Sequence, residues 1–529
     1  MTNKPRSNIE PTITSINPTD LSIIGEVKSA RQEDIDNAVR QAQKAHQSWK
    51  KLSYRTRGEY LLRVKDLILE HLDEIVILIT REMGKPISEV LLTEIFPALE
   101  ALTYFALNAE RLLADEKIEY QSRLLLNKRG YTIYEPLGVI GIISPFSYPL
   151  AIPITQIATA LIAGNTVIFK PSELTPFIGL KIAEFFSKAE LPEGCLSVLP
   201  GDKTTGQLLV ASDIDKILFT GRTRTGKAIL RAVADRVLPV TLELSGKDPM
   251  IVLSDANIER AVKGAVYGAF INAGQSCCAV ERVYVMRDIA KSFIDGVVEE
   301  VKKLTLDDPM KPKTEIGPLA SEKQRDNVES HIADAIEKGA KILIGGARPE
   351  GTSGYFYLPT ALTEVDRSMR IMRDETLGPV MPIMIVDSVD EAIQLANNSR
   401  YGLSASVWTM DVNLAMDVAH QMETGTVTVN DLIFTFGAVE CAWGGTKESG
   451  IGRVQAVQGL REVCNVKHIS FDKGKRVSKT WWYPYNEEYQ EFMRLAIMSE
   501  HGQKLRTRFK SGSELLTHWR RIFGKQFGL

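Results

Sequence analysis

Cross-links, clustered metal ligands and a long run of one charge are all missing from this chain, and each absence removes a class of protein. Its five cysteines (Cys195, Cys277, Cys278, Cys441 and Cys464) are odd in number and scattered. That excludes a disulfide frame and indicates free thiols in a reducing compartment, the cytoplasm. There is no CxxC pair and the seven histidines are dispersed, so no metal site is expected. A formal charge of −2 over 529 residues makes the chain as a whole no polyanion binder, and nucleic acid is not an expected partner. The opening residues, MTNKPRSNIEPTITSINPTD, contain no apolar core of a secretory signal.

Residues 138–164, GVIGIISPFSYPLAIPITQIATALIAG, carry no charge and are long enough to span a bilayer. Pro145, Pro149 and Pro153 interrupt them, which a continuous helix does not tolerate cheaply. The pattern predicts instead a buried strand at 138–143, a proline-bounded turn and a buried helix near 151–163.

With 44% hydrophobic and 25% charged residues, the chain has a soluble globular composition and is too long for one core. Short β-branched runs at 165–173, 195–201, 216–221 and 249–254 alternate with helix-length segments at 177–189, 203–211 and 224–235. A second set of runs follows at 282–286, 381–386, 405–410 and 425–430. This alternation predicts two α/β domains of parallel βαβ units, with ligands at strand C-terminal ends. Residues 118–136 read differently, as a hairpin turning at NKRG.

Two stretches offer chemistry. NAGQSCC (272–278) sets Cys277 among small residues that let a carbonyl approach backbone amides. From this stretch alone, a nucleophile and a packed thiol both fit. In TLELSGKDP (241–249), Glu243 lies among apolar and small residues, where a carboxyl has a raised pKa suited to general-base work. An ion pair with Lys247 is the competing reading.

Glu243 and Cys277 are 34 positions apart, and LELSGKDP followed by NAGQSCC resembles the NAD(P)-dependent aldehyde dehydrogenase superfamily. Further blocks resemble it in order and spacing: AGNTVIFKPSELTP, LPEGCLSVLPG, FTGRTRTG, ETLGPV, NNSRYGLSASVWT and WGGTKESGIGR. The similarity runs over roughly residues 15–472. It implies an α/β fold with a Rossmann-type cofactor domain (1–117 and 137–245), an α/β catalytic domain (246–445) and oligomerisation segments (118–136 and 446–472). It also implies roles. Cys277 attacks the aldehyde, and Glu243 activates the water that hydrolyses the resulting thioester. Lys170 and Glu173 contact the adenosine ribose, Gly221 and Gly226 flank the turn opening a helix under the pyrophosphate, and Glu375 holds the nicotinamide ribose. The cofactor is NAD, with NADP the alternative, because Glu173 repels a 2′-phosphate. The substrate is a small-molecule aldehyde, and the hairpin implies a homodimer or homotetramer.

The chain departs from the family at several positions. Ser147 stands in SPFSYP where the family carries the asparagine that stabilises the oxyanion; a serine hydroxyl donates one hydrogen bond. A missing donor elsewhere costs on the order of 10²–10³ in rate, so a weakened enzyme that serves as a binding or scaffold protein is the competing function. Arg222 replaces a small serine and either pairs with the pyrophosphate or favours a 2′-phosphate. Ser245 replaces a common glycine and Leu377 a common phenylalanine.

Residues 473–529 extend beyond the resemblance with 12 Lys/Arg against 5 Asp/Glu, a charge of +7 that leaves −9 on the remainder. Tyr489, Phe492, Met493, Ala496 and Ile497 fall on one helical face, and Leu515, Leu516, Trp519, Ile522 and Phe523 on another, flanked by Arg520, Arg521 and Lys525. The first face suits packing. The second suits either packing or peripheral contact with an anionic membrane, which would favour lipophilic or aromatic substrates.

Overall fold

A computed structural model of the chain describes residues 12–122, 125, 128–474, 479, 481–483 and 485–527, without the side chains of residues 507 and 519–527. The chain divides into two units, Met1–Leu113 with Glu135–Asn465, and Ala114–Tyr134 with Val466–Leu529.

Within the first unit, the β-branched runs of the first half form a six-stranded sheet. Its order is Gly450–Ile451, Val240–Glu243, Lys216–Thr220, Val139–Ile143, Thr166–Lys170, Leu196–Val198. All but the Gly450–Ile451 edge strand run parallel. The central strands are buried on both faces, which is why they read as unbroken apolar runs. Strand order reverses between Val139–Ile143 and Lys216–Thr220, and that switch point opens a crevice at the C-terminal ends. The uncharged stretch resolves into the strand Val139–Ile143 and the fully buried helix Ala151–Ile162.

The second half of this unit forms a seven-stranded sheet in the order Lys341–Ile344, Thr360–Thr363, Val380–Val386, Val280–Met286, Asp248–Val252, Ser404–Trp408, Thr426–Val429. It is parallel apart from Lys341–Ile344 at one edge. Its core gathers Met250, Ile251, Val283, Val285, Phe293 and Val407, among others.

One further helix shapes the site. It runs from Ile87 to Leu112, is long and apolar enough by length and composition to cross a membrane, and packs on the helices Tyr54–Glu70 and Ala151–Ile162. At Leu91–Ile95 it widens into a π turn, a local distortion frequent at functional sites. Glu94 in that turn accepts from the N–H groups of Leu150 (3.1 Å) and Ala151 (2.9 Å), capping the helix Ala151–Ile162, which has no side-chain cap at its own N-cap residue. Glu94 is paired in turn with the buried Lys85 ammonium at 2.5 Å.

The second unit contains a hairpin of the strands Glu116–Ile118 and Arg129–Pro136, extended by Cys464–Phe471. Its first strand ends at Ile118, which pairs with Gly130, so Arg129 and Gly130 of NKRG lie in the second strand; Asn127 lies outside the described residues. Residues 446–465 go with the first unit rather than the hairpin, because Gly450–Ile451 joins the edge of the six-stranded sheet. The tail forms two helices packed on each other, Glu487–His501 and Leu505–Phe527. Phe492, Leu495, Ala496 and Ser499 are the buried stripe of the first, so the apolar face is rotated from the expected one and Ile497 is exposed. Of the expected second face, Trp519, Ile522 and Phe523, with the flanking Arg520, Arg521 and Lys525, lie outside the described side chains.

Candidate active site

The helix Ile258–Phe270 delivers the chain to the segment that carries Cys277. Asn272 and Ala273 then adopt left-handed backbone, with φ of 54° and 51°. Such residues cost on the order of 1 kcal/mol each and persist only where the surroundings hold them. Here they are held from several sides. The Asn272 N–H donates to Glu89 Oε2 at 2.9 Å, and its amide Nδ2 donates to the carbonyls of Ser147 (3.0 Å) and Gln275 (2.9 Å). Gly274, also at positive φ, passes so close to ETLGPV that a Cβ would lie 2.1 Å from the Gly378 carbonyl.

The turn leaves Cys277 half-buried on a cavity of about 500 Å³ that Glu243 also faces. Phe96, Phe434, Phe436 and Trp443 make much of the wall, with Leu92, Ile152, Leu432 and Ile433 between them. Phe436 and Trp443 meet edge to face, 6.0 Å apart. Glu243 and Asp431 are the only Asp, Glu, Lys or Arg side chains on this wall among the described residues.

Glu243 ends the strand Val240–Glu243, and its carbonyl accepts the Gly221 N–H at 2.9 Å. Both carboxyl oxygens are buried without a hydrogen-bond partner of good geometry among the described residues. Burial pushes this carboxyl well above the usual range; the nearby Arg453 charge and the Trp443 indole offset it only in part. Its hydrogen bond with Cys278, and then burial, push the Cys277 thiol above its usual range. Cys278 is buried beside it, with Ser276 Oγ 3.3 Å from its sulfur.

Behind Cys277 lies a second crevice, at the C-terminal ends of the six-stranded sheet. Arg222, Thr223, Arg224, Lys227, Ser245 and Glu375 line it. The helix Thr223–Val233 begins here, directly after Gly221, with no side-chain cap from Arg222, so its N-terminus suits an anion. Gly226 lets that helix close on the sheet: a Cβ there would lie 2.5 Å from Leu244. Lys170 ends its strand with its ammonium buried, 3.3 Å from the half-exposed Glu173. Glu375 accepts from Ser245 Oγ (2.7 Å) and from the Gly246 N–H (3.1 Å), and burial raises its pKa to about 7. Gly246 joins the two sites: a Cβ there would sit 2.0 Å from the Cys277 carbonyl.

Cys277 and Glu243 thus share one cavity, Glu375 lines the crevice at the helix that Gly221 precedes and Gly226 belongs to, and Lys170 and Glu173 lie at a strand end two strands along the sheet. Ser147 is buried nearby, but its turn presents Tyr148 to the cavity, while the Ser147 carbonyl accepts from Lys85 Nζ (3.1 Å) and Asn272. Lys247 is not the partner of Glu243. It is buried against Glu281, 2.5 Å away, which also accepts from the N–H groups of Thr376 and Leu377. Arg222 reaches across to Gln324 Oε1 at 2.7 Å. Among the described residues, no three His, Cys, Asp or Glu side chains gather to hold a metal.

Sequence reasoning did not find the cavity walls. DLIFTFGAV (431–439) is apolar without helical or strand periodicity, and that was the available signal. Glu89 and Asn272, which hold the turn that carries Cys277, carried no signal of their own.

The profile described as "Aldehyde dehydrogenase family" matches residues 5–469. The chain is 34% identical over 482 residues to a 4,4′-diapolycopene aldehyde oxidase of Methylomonas sp., covering 91% of this chain and 90% of that protein. It is 36% identical to a chloroplastic betaine aldehyde dehydrogenase of Beta vulgaris, covering 89% and 95%. Among solved structures, the NAD+ complex of an aldehyde dehydrogenase from Bacillus cereus aligns with a TM-score of 0.84 at 36% identity, over 88% of this chain and 94% of that one.

Proposed function

Because the chain belongs to the aldehyde dehydrogenase family, we propose that it oxidises an uncharged, lipophilic aldehyde to its carboxylate with NAD, by way of a covalent intermediate on Cys277 that is hydrolysed with Glu243 as general base. The observation that carries this reading is the shared apolar cavity, with a half-buried thiol and a buried, only partly compensated carboxyl on its wall.

Cys277 Sγ, once its thiol proton has passed to solvent, attacks the aldehyde carbon as thiolate and forms a thiohemiacetal. NAD, when bound, supplies the hydride acceptor that turns this adduct into a thioester. Glu243, a strong base once ionised in its apolar surroundings, takes a proton from water, whose oxygen attacks the thioester carbon. The carboxylate leaves and Cys277 is freed as thiolate. The crevice residues fit the cofactor: the Thr223 helix end with Arg222, Arg224 and Lys227 for the pyrophosphate and Glu375 for the nicotinamide ribose, with Lys170 and Glu173, two strands along the sheet, for the adenosine ribose. Glu173 disfavours a 2′-phosphate, which supports NAD over NADP.

The cavity supports the substrate class, since its wall is mainly aliphatic and aromatic and desolvating a charge there is costly. The name of the Methylomonas relative, a 4,4′-diapolycopene aldehyde oxidase, points the same way. The second unit bears on delivery. Trp481, Trp482, Tyr483, Leu505, Phe509 and Leu516 are exposed on it, with the exposed Lys504, Arg506, Arg508 and Lys510. Aromatic and basic groups mixed in this way support peripheral contact with an anionic bilayer. The hairpin supports assembly as a homodimer or homotetramer.

The test is an aldehyde panel run with NAD and with NADP, followed by reduced-cofactor absorbance. Along a straight-chain series, kcat/KM should rise about fourfold per buried methylene until the cavity is filled, the equivalent of about 0.8 kcal/mol each. Preference for betaine aldehyde would overturn the lipophilic reading, because aromatic walls with Asp431 also suit a cation. No turnover with any aldehyde, despite cofactor binding, would overturn the catalytic reading in favour of a binding protein. Cosedimentation with anionic vesicles, lost when residues 500–529 are removed, tests the membrane contact; equal sedimentation without them refutes it.

A further inference from the structure

Ser245 is a polar side chain buried at the one point where the three working parts of the site converge. Its hydroxyl accepts from the Thr223 N–H at 3.3 Å, the first residue of the helix assigned to the pyrophosphate. The same hydroxyl donates to Glu375 Oε2 at 2.7 Å. The next residue, Gly246, donates its N–H to Glu375 Oε1 at 3.1 Å and lies against the Cys277 carbonyl. Ser245 itself is pinned, because its carbonyl accepts from Ser449 Oγ at 2.6 Å while Ser449 Oγ accepts from the Gly402 N–H at 3.0 Å. Thr223 is fixed likewise, its hydroxyl donating to the Glu448 carbonyl at 3.1 Å. The hydroxyl is therefore a fixed bridge between a helix N-terminus and a carboxylate, at the position where a glycine was expected.

We propose that Ser245 is a positioning residue for the cofactor: its hydroxyl sets the ribose-binding carboxylate of Glu375 at a fixed separation from the pyrophosphate-binding end of the Thr223 helix. This rests on the cofactor reading above. Without the hydroxyl, Glu375 keeps only the Gly246 N–H of its two donors, and the Thr223 N–H loses its acceptor. The carboxylate is then free to sample orientations that do not meet a ribose hydroxyl while the pyrophosphate is seated. The effect acts through Glu375, so it falls on cofactor affinity and vanishes when Glu375 cannot play its part.

The experiment is a double-mutant cycle on the full chain, with Ser245→Ala, Glu375→Gln and the pair. NAD dissociation constants are read by quenching of protein fluorescence, independent of turnover, and Ser245→Gly serves as a second hydroxyl-free variant. Ser245→Ala should raise the NAD Kd about tenfold, the usual effect of losing a hydrogen bond to a charged group. KM for NAD should rise with it, while KM for the aldehyde stays within about twofold of wild type. In the Glu375→Gln background, Ser245→Ala should change the Kd by less than about twofold, since contacting residues couple rather than add. Additive losses, or an unchanged Kd in both hydroxyl-free variants, would overturn the inference while leaving the cofactor reading intact. A wild-type chain that binds no NAD would overturn the cofactor reading and the inference with it.

Discussion

Glu243→Gln separates the two halves of the proposed cycle. The substitution keeps the shape of a buried side chain and removes only its capacity to ionise. Since neither carboxyl oxygen makes a well-formed hydrogen bond among the described residues, the amide disrupts no existing network. Thiol addition and oxidation need no proton taken by this group, whereas thioester hydrolysis does. General-base catalysis contributes about 10²–10⁴, so steady-state turnover should fall by that factor. Rapid mixing should still show a burst of about one reduced cofactor per active site, the signature of an accumulating acyl-enzyme, and mass spectrometry of the quenched protein should find the acyl group on Cys277. The pH dependence has a definite sign. Burial raises the folded-state pKa of Glu243, so in the wild type hydrolysis-limited kcat rises with pH through that value, and the variant loses this limb. Stability runs the other way. Between the unfolded and folded pKa values the folded state binds more protons, so the wild type loses stability as pH rises through that window. The variant carries no such penalty, and its melting temperature should match or exceed the wild type at pH 8. Steady-state turnover within about threefold of wild type, or a quenched enzyme with unmodified Cys277, would refute the assignment of Glu243 as base.

Other substitutions probe the scaffold. Lys247→Met strands the Glu281 carboxylate in a fully buried site and should cost about 3–5 kcal/mol by urea titration; Lys247→Met/Glu281→Leu should recover much of that, and a single variant as stable as wild type would show that the pair is dispensable. Gly246→Ala places a Cβ 2.0 Å from the Cys277 carbonyl, and the shift that relieves this contact should lower kcat/KM about 10²-fold in a protein that still folds. Ser147→Asn should leave turnover equal or faster, because Lys85 and Asn272 bind the Ser147 carbonyl, which the substitution keeps; a collapse in kcat would show that the Ser147 hydroxyl works in its own way.

The strands around the crevice were legible because parallel strands buried on both faces read as unbroken β-branched runs, and Val139–Ile143, Thr166–Lys170 and Lys216–Thr220 lie where those runs lie. The pairing of Cys277 with Glu243 came from a resemblance, since nothing in either stretch alone points to the other. Lys247 shows the limit of local reasoning. Four residues from Glu243 it looked like a partner, yet its charge is met by Glu281 on the neighbouring parallel strand, a relation that register sets. The cavity walls were illegible for another reason. Leu92, Ile152 and Leu432 line the Cys277 cavity with the same residue types that line a core, so composition cannot tell an empty volume from a filled one.

The π turn at Leu91–Ile95 makes the shape of that space a matter of counting. Each residue of an α-helix turns the chain by about 100°, and the wide turn holds one residue more than an α-helical turn would. Deleting a single residue there would restore ordinary winding without turning the flanking α-helical parts against each other, because the wide turn already takes up the extra residue within one revolution. The change would fall on Leu92 and Thr93, which line the cavity from this turn, and on no wall residue outside the helix. A one-residue deletion in this helix is therefore a local edit of the cavity wall that leaves Cys277, Glu243 and the Glu375 crevice in place.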